Sequence, residues 1–253
     1  MYILLFIIAM LYLGGPIAVW LTQRQAANPQ MQAYGFSLQT PGYEFLTATA
    51  ERLRAMGFEL VGYFGLVGQT KNVNMFLAYL IHRGNGDLAV AAMARTTQGT
   101  GTQLVEFATR FTDGSGIATG NSKTPGVYRR PRTKPVYHFP WVSDPARLYQ
   151  FHQQLILRDC AAKKKDVPAA GKEAERLLDS MRQEMKDQVF AGILQLDSSR
   201  AWYKPTLVGA FVMTYKLLFP FKQIRSAMKQ SKMRQLQNVL VSRAGAQPVQ
   251  PIG

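Results

Sequence analysis

The sequence predicts an α+β protein that carries a transmembrane helix at its N-terminus. Two observations predict this class: the first 21 residues contain no charged side chain, and four later runs show strand-like apolar patterns between turn signals. An apolar content of 47% with 11% aromatic residues excludes a disordered chain. A mean hydropathy of -0.09 excludes a protein built mainly of membrane helices.

The N-terminal segment 1–21 reads MYILLFIIAMLYLGGPIAVWL. About 20 apolar residues are what a helix needs to cross a hydrocarbon core of ~30 Å. Trp20 suits the membrane interface, and Gly14 and Gly15 offer a face for close approach of another helix. A cleaved signal peptide is the alternative, but no basic residue precedes the apolar run. We therefore predict an uncleaved anchor, and a polar, proline-broken linker over 22–42.

A soluble domain is predicted over 43–200, beginning with a helix over 43–56. The strand-like runs are 58–67, 73–82, 88–96 and 102–111, with a fifth strand at 116–120 or 134–139. Gly-Asn-Gly-Asp and Asp-Gly sequences between the runs are typical of hairpins. The pattern predicts an antiparallel β-meander of four or five strands, covered by helices on its apolar face.

Two more helices are expected after the strands. Asp144-Pro145 is a typical N-cap and first-turn pair, and it predicts a helix that runs to about Asp159. A longer amphipathic helix is expected from about Pro168 to Leu194. Together with the strands, these helices complete the predicted α+β domain.

The C-terminal part combines apolar and basic residues. The segment 205–221 is apolar except for Lys216, and a lysine at mid-bilayer costs ~2.5–3.5 kcal/mol, which favours a helix lying on the membrane surface over one that spans it. Lys222, Arg225 and Lys229 follow at once. We therefore predict a membrane-associated segment over 201–240, with these four cations as contact residues, and a flexible C-terminus over 241–253.

Charge indicates the class of partner. The formal charge is +15, and the last 49 residues, from 205 onward, contain seven Lys or Arg and no acidic residue. A second basic stretch holds Arg129, Arg130 and Arg132 among aromatic residues, a combination that also occurs in proteins that bind single-stranded nucleic acid. The predicted anchor disfavours nucleic acid. We therefore expect anionic lipid headgroups and other membrane protein subunits as partners.

Motifs of catalysis or metal binding are lacking in the sequence. His82, His138, His152 and Cys160 form no pattern of metal ligands or of a nucleophile with its base. We expect His152 to be packed inside the protein and the acidic residues on strands and turns, such as Asp87, to be solvated. The sequence therefore predicts no catalytic residue, no metal site and no cofactor.

The favoured function is a non-catalytic accessory or scaffold subunit of a larger membrane complex. The expected location is a bacterial cytoplasmic membrane, with the soluble domain on the cytoplasmic side. A lipid- or hydrophobic-ligand-binding module is the first alternative, and a membrane-associated enzyme is the second. Aromatic and apolar side chains that would line such a ligand pocket are Phe58, Phe64, Phe76, Tyr79, Met93 and Phe107.

Overall fold

Ten strands in the described part of the chain form one mixed sheet, with helices on both of its faces. The structure, a computed structural model, describes residues 10–33, 35, 42–70, 73–96, 101–123, 126, 128, 130–199, 201–218 and 221–246. The strands are β1 Gln25–Ala26, β2 Gln32–Ala33, β3 Glu59–Thr70, β4 Val73–His82, β5 Asp87–Thr96, β6 Gly101–Arg110, β7 Gly116–Gly120, β8 Val136–His138, β9 Leu194–Leu196 and β10 Trp202–Pro205.

The helices connect and cover the sheet. After a π-helical turn, Met10–Gly14, the α-helices are α1 Gly15–Thr22, α2 Tyr43–Arg54, α3 Pro145–Asp159, α4 Glu173–Phe190, α5 Leu207–Leu217 and α6 Phe221–Ala246. Asp144 caps α3 as the sequence predicts, because its carboxylate accepts the backbone N–H groups of Ala146 and Arg147. The helix α4 begins later and ends earlier than predicted.

The order of strands is β8-β7-β6-β5-β4-β3-β1-β10-β9, and β2 also pairs with β3. The run from β3 to β7 is the antiparallel meander that the sequence predicts, and its β4–β5 turn ends at Gly86, whose φ of 74° favours glycine. The predicted purely antiparallel sheet of four or five strands is nevertheless wrong, because β8 pairs in parallel with β7 and short strands extend the other edge.

The main core lies between one face of the meander and the helices α2, α3 and α6. Side chains of alternate residues point to this face, among them the buried Val105, Phe107 and Phe111 of β6 and its following turn. The helices contribute buried leucines, which are Leu46 and Leu53 of α2, Leu148 and Leu155 of α3 and Leu240 of α6. These contacts position the second half of α6 on the body of the protein.

The opposite face of the meander is covered as well, by α4. Leu177 and Met181 of α4 pack against a cluster that includes Leu77 and Tyr79. The aromatic residues of the alternative ligand-pocket hypothesis therefore separate: Phe58, Phe76 and Phe107 belong to the main core, whereas Tyr79 and Phe64 lie in the cluster under α4. They do not line one pocket.

The predicted transmembrane helix over 1–21, and with it the predicted single-pass membrane class, is wrong. No helix in the described part of the chain has the length and apolar character needed to cross a bilayer. The described part of this segment forms the π-helical turn and then α1. Pro16 lies in the first turn of α1, where the helix changes from the π-helical to the α-helical pattern and where the missing N–H of proline is tolerated. Residues 1–9 lie outside the described residues.

Candidate anion-binding cleft

A cleft lies between the first turns of α6 and the irregular arm that leads into and out of β8. Its volume is about 100 Å³. The arm contributes Ser122, Lys123, Gly126, Val136, His138 and Pro140, and the helical side contributes Lys216, Lys222, Arg225, Ser226, Lys229, Gln230 and Met233. None of these lining residues is acidic.

The basic residues of the cleft share one face of a helix. Lys222, Arg225 and Lys229 stand at positions i, i+3 and i+7 of α6, which places their side chains in one row. Lys216 at the end of α5 and Lys123 on the arm add two more cations. Partial desolvation, together with the charge of Arg225, lowers the pKa of Lys229. Five cations line this one cleft without an acidic residue, so the cleft favours a negatively charged ligand.

His138 adds an uncharged polar group to the cleft. Burial, and then the charges of Lys229 and Arg130, lower its pKa to about 4, so the imidazole is neutral at pH 7. Its Nδ1 atom is buried and makes no hydrogen bond to any described residue. This nitrogen has less than 1 Å² of accessible surface, so His138 contributes a neutral ring to the wall of the cleft and its Nδ1 atom lies behind that wall.

The second half of α6 holds the cleft in shape. Trp141 Nε1 donates a hydrogen bond of 2.5 Å to Gln237 Oε1, and the guanidinium of Arg234 lies 5.4 Å from the centre of the Trp141 ring. Trp141 also packs edge-on against the fully buried Phe139, which follows β8. The arm and α6 are therefore joined beyond the cleft, and the first turns of α6 project with their cations exposed.

Next to the cleft, α1 and α5 form an antiparallel helical pair. The Tyr12 and Tyr215 rings lie 5.9 Å apart, and a Cβ atom built on Gly15 would lie 2.9 Å from Thr214 Cγ2. Gly15 thus approaches another helix closely, but that helix belongs to the same chain. Large apolar side chains remain exposed here, namely Leu13 of the π-helical turn, Ile17 and Leu21 of α1, and Leu207 and Val208 of α5.

The other residues predicted to contact a membrane or partner are dispersed. Arg130 forms an ion pair with Glu184 of α4, 2.5 Å long, and Arg132 is exposed on the arm. Trp20 is half-buried in α1, and a Cβ atom added to Gly14 would meet no heavy atom within 4 Å. Arg129 lies outside the described residues. Of the predicted contact residues that the structure describes, Lys216, Lys222, Arg225 and Lys229 are the ones brought together in one place.

A second polar cluster is buried in the main core. Asp87 is fully buried, which corrects the prediction that it is solvated. Its carboxylate accepts hydrogen bonds from Thr109 Oγ1 (2.5 Å), Lys165 Nζ (2.8 Å) and Tyr149 Oη (2.9 Å), and from the Gln153 amide. Burial alone would raise the pKa of Asp87, but the bonds from Lys165 and Thr109 outweigh burial and lower it.

Hydrogen bonding fixes the tautomer of His152 in this cluster. The single hydroxyl proton of Thr109 goes to Asp87, so Thr109 Oγ1 accepts from His152 Nε2–H across 2.9 Å. His152 Nδ1 then accepts from Thr119 Oγ1–H across 3.0 Å. His152 is 0% exposed, and burial lowers its pKa to about 4. Every polar atom of the His152 ring is thus occupied and closed off from solvent, so the ring joins α3 to β6 and β7 inside the core.

In the described ranges, no group of three or more His, Cys, Asp or Glu side chains is arranged to hold a metal ion. Comparisons with protein-family models, with characterised proteins and with solved structures find no match to this chain. The geometry and charge of the cleft are therefore the basis for assigning a function.

Proposed function

We propose that the protein is a non-catalytic binding protein that docks on the anionic phospholipid surface of a membrane. In this arrangement the basic cleft faces the headgroups, and the exposed apolar side chains of α1 and α5 contact the acyl-chain boundary. The observation that carries the proposal is the acid-free row of cations beside exposed apolar residues on consecutive helices. Docking of this kind is peripheral and needs no spanning helix.

The first turns of α6 support the proposal by their own pattern. Phe221, Ile224 and Met228 are each about half exposed. They form a stripe one residue away from the basic row of Lys222, Arg225 and Lys229. An acidic bilayer has anionic headgroups at its surface and apolar acyl chains beneath them. A helix with adjacent cationic and apolar stripes can therefore contact both layers at once.

The size of the expected effect follows from the charges. Each basic residue near an anionic surface contributes ~1 kcal/mol, so the three cations of α6 contribute about 3 kcal/mol, or roughly a hundredfold in affinity. The accessory-subunit hypothesis relied on a transmembrane anchor. A complex with other subunits at the same membrane surface stays a prediction and is compatible with peripheral docking.

Co-sedimentation with lipid vesicles tests the proposal. The full chain should sediment with vesicles of phosphatidylcholine and phosphatidylglycerol and not with phosphatidylcholine alone. The triple variant Lys222→Gln, Arg225→Gln, Lys229→Gln should bind about a hundredfold more weakly.

The matched control removes three exposed lysines elsewhere, in the variant Lys164→Gln, Lys172→Gln, Lys186→Gln, so that net charge falls equally. This variant should keep most of the affinity. Failure of the unmodified chain to bind anionic vesicles would contradict the proposal. Equal weakening of the two triple variants would contradict the assignment of binding to the cleft.

A further inference from the structure

We propose that the cleft binds one phosphomonoester group, such as the headgroup of a phosphatidate-type lipid. This inference rests on the proposed function and names the headgroup chemistry that the cleft prefers. Inorganic phosphate offers the same chemistry from a soluble source. Thermal unfolding in the presence of inorganic phosphate distinguishes a soluble phosphate ligand from a lipid headgroup. A purely diffuse attraction between a basic surface and an acidic bilayer is the alternative, and the shape and donor set of the cleft oppose it.

The dimensions of the cleft fit a small anionic group. A volume of about 100 Å³ holds a few water molecules, or a phosphate group with bound water. The cleft is bounded on one side by α6 and on the other by the arm around His138. A ligand in it would therefore touch two elements distant in sequence, which a flat basic surface does not provide.

The charge of the cleft suits a dianion. Three cations of α6 and Lys216 converge on the space, and none of the lining residues is acidic. Arg225 can bind two phosphate oxygens at once, while Lys222 and Lys229 supply point charges. Desolvation, and then the charge of Arg225, lower the pKa of Lys229, and an anion in the cleft favours the charged form of this lysine.

Two uncharged side chains, Ser226 and His138, complete the lining that a phosphate would meet. Ser226 Oγ accepts a hydrogen bond of 3.3 Å from Gln230 Nε2, which leaves the Ser226 hydroxyl proton available to donate. His138 lines the cleft on the side of the arm, and its ring is neutral at pH 7. An uncharged donor adds nothing to diffuse electrostatic attraction, and its presence in the cleft indicates a specific ligand.

A monoester satisfies these donors better than a diester does. A phosphomonoester carries a charge of about −1.5 to −2 at pH 7 and three strong acceptor oxygens. A diester headgroup such as that of phosphatidylglycerol carries a single charge on two such oxygens, so some of the convergent donors stay without a partner. Groups left unpaired in this way reduce affinity.

The test compares vesicles of equal surface charge that contain either phosphatidate or phosphatidylglycerol in phosphatidylcholine. The unmodified chain should bind phosphatidate vesicles at least about tenfold more tightly, as expected when additional charged hydrogen bonds form. Lys229→Gln should abolish this preference, and Ser226→Ala should reduce it. Lys186→Gln, a change of the same charge on α4, should retain it. Thermal unfolding of each variant checks that it is folded, and Lys229→Gln alters an exposed side chain that the fold does not need.

The possible failures are distinguishable. Equal affinity for the two anionic vesicles overturns the phosphomonoester inference and leaves the proposed function standing. If the protein binds neither kind of anionic vesicle, the proposed function fails. Thermal unfolding in inorganic phosphate then shows whether the cleft binds a soluble phosphate. A rise in Tm for the unmodified chain but not for Lys229→Gln then assigns the cleft to a soluble phosphate, and no rise overturns the inference as well.

Discussion

At the scale of residues, the cluster around Asp87 shows how one hydroxyl joins two buried polar side chains. Thr109 donates to the carboxylate of Asp87 and accepts from the ring of His152, all three at exposures of 1% or less. Loss of that hydroxyl leaves a buried acceptor and a buried donor without partners. Unsatisfied buried groups are costly because water cannot replace the lost bond.

Thr109→Val is therefore expected to destabilise the protein by about 2–4 kcal/mol, although valine has nearly the same shape as threonine. Urea unfolding measures this change. The matched control is Thr112→Val. The Thr112 hydroxyl makes an exposed hydrogen bond of 3.4 Å to the Lys164 carbonyl, and its loss should change the free energy of unfolding by less than about 0.5 kcal/mol. Equal costs of the two substitutions would contradict the role of the Thr109 hydroxyl.

His152 predicts how stability depends on pH. Burial lowers its pKa from 6.5 to about 4, so the unfolded chain binds a proton between these values while the folded protein does not. Stability is thus fully present above pH 6.5 and falls as the pH decreases toward 4, by roughly 3 kcal/mol for this one group. His138, with a pKa that is also lowered to about 4, contributes in the same direction.

Urea unfolding at several pH values tests this prediction. The free energy of unfolding is compared between the unmodified protein, His152→Gln and His138→Gln. Each variant should lose less stability on acidification than the unmodified protein does, and His152→Gln should lose the least because its ring is the more deeply buried. Parallel curves for all three proteins would show that neither histidine is responsible.

At the scale of elements, the start of α5 depends on a close approach between backbones. Thr206 caps the helix, its hydroxyl accepting from the Gly209 N–H (2.9 Å) and donating to the Gly192 carbonyl (2.6 Å). This brings Gly209 against the backbone of Ile193, and a Cβ atom on Gly209 would overlap the Ile193 carbonyl oxygen. The glycine is therefore required by packing.

Gly209→Ala should destabilise the protein by about 2–4 kcal/mol, whereas the same change inside an unobstructed helix stabilises by up to about 1 kcal/mol. The reason is that the methyl group meets backbone atoms, which cannot move aside as a side chain does. Gly14→Ala serves as the control, since nothing lies within 4 Å of its Cβ position. Thermal unfolding distinguishes them, and a Gly209→Ala variant as stable as Gly14→Ala would show that α5 does not lie where we describe it.

At the scale of the whole molecule, local patterns predicted the meander and several helix boundaries well. The cap at Asp144 and the turn at Gly86 depend on residues that are close in sequence, so the sequence alone predicts them. The burial of Asp87 was not predicted, although Asp87 has the same strand parity as the buried Ala89 and Ala91.

Other features depend on contacts between distant segments and could not be predicted in this way. The parallel pairing of β8 with β7 and the closing of the cleft by His138 both require the arm to fold back on the sheet. The apolar N-terminal segment satisfied the length and composition of a spanning helix, but α1 is short and packs against α5 of the same chain. Composition alone does not distinguish a lipid environment from such a partner helix.

Site-specific labelling tests the account most directly, because the sequence contains one cysteine, the buried Cys160. In a Cys160→Ala background, an environment-sensitive dye is attached at Ile17→Cys, at Val208→Cys, or at Val167→Cys as a control, all exposed positions. With anionic vesicles, the dye emission at positions 17 and 208 should shift to the blue and that at 167 should not, and neutral vesicles should cause no shift. An unchanged spectrum at both 17 and 208 in the presence of anionic vesicles would contradict the proposed docking on an anionic membrane surface.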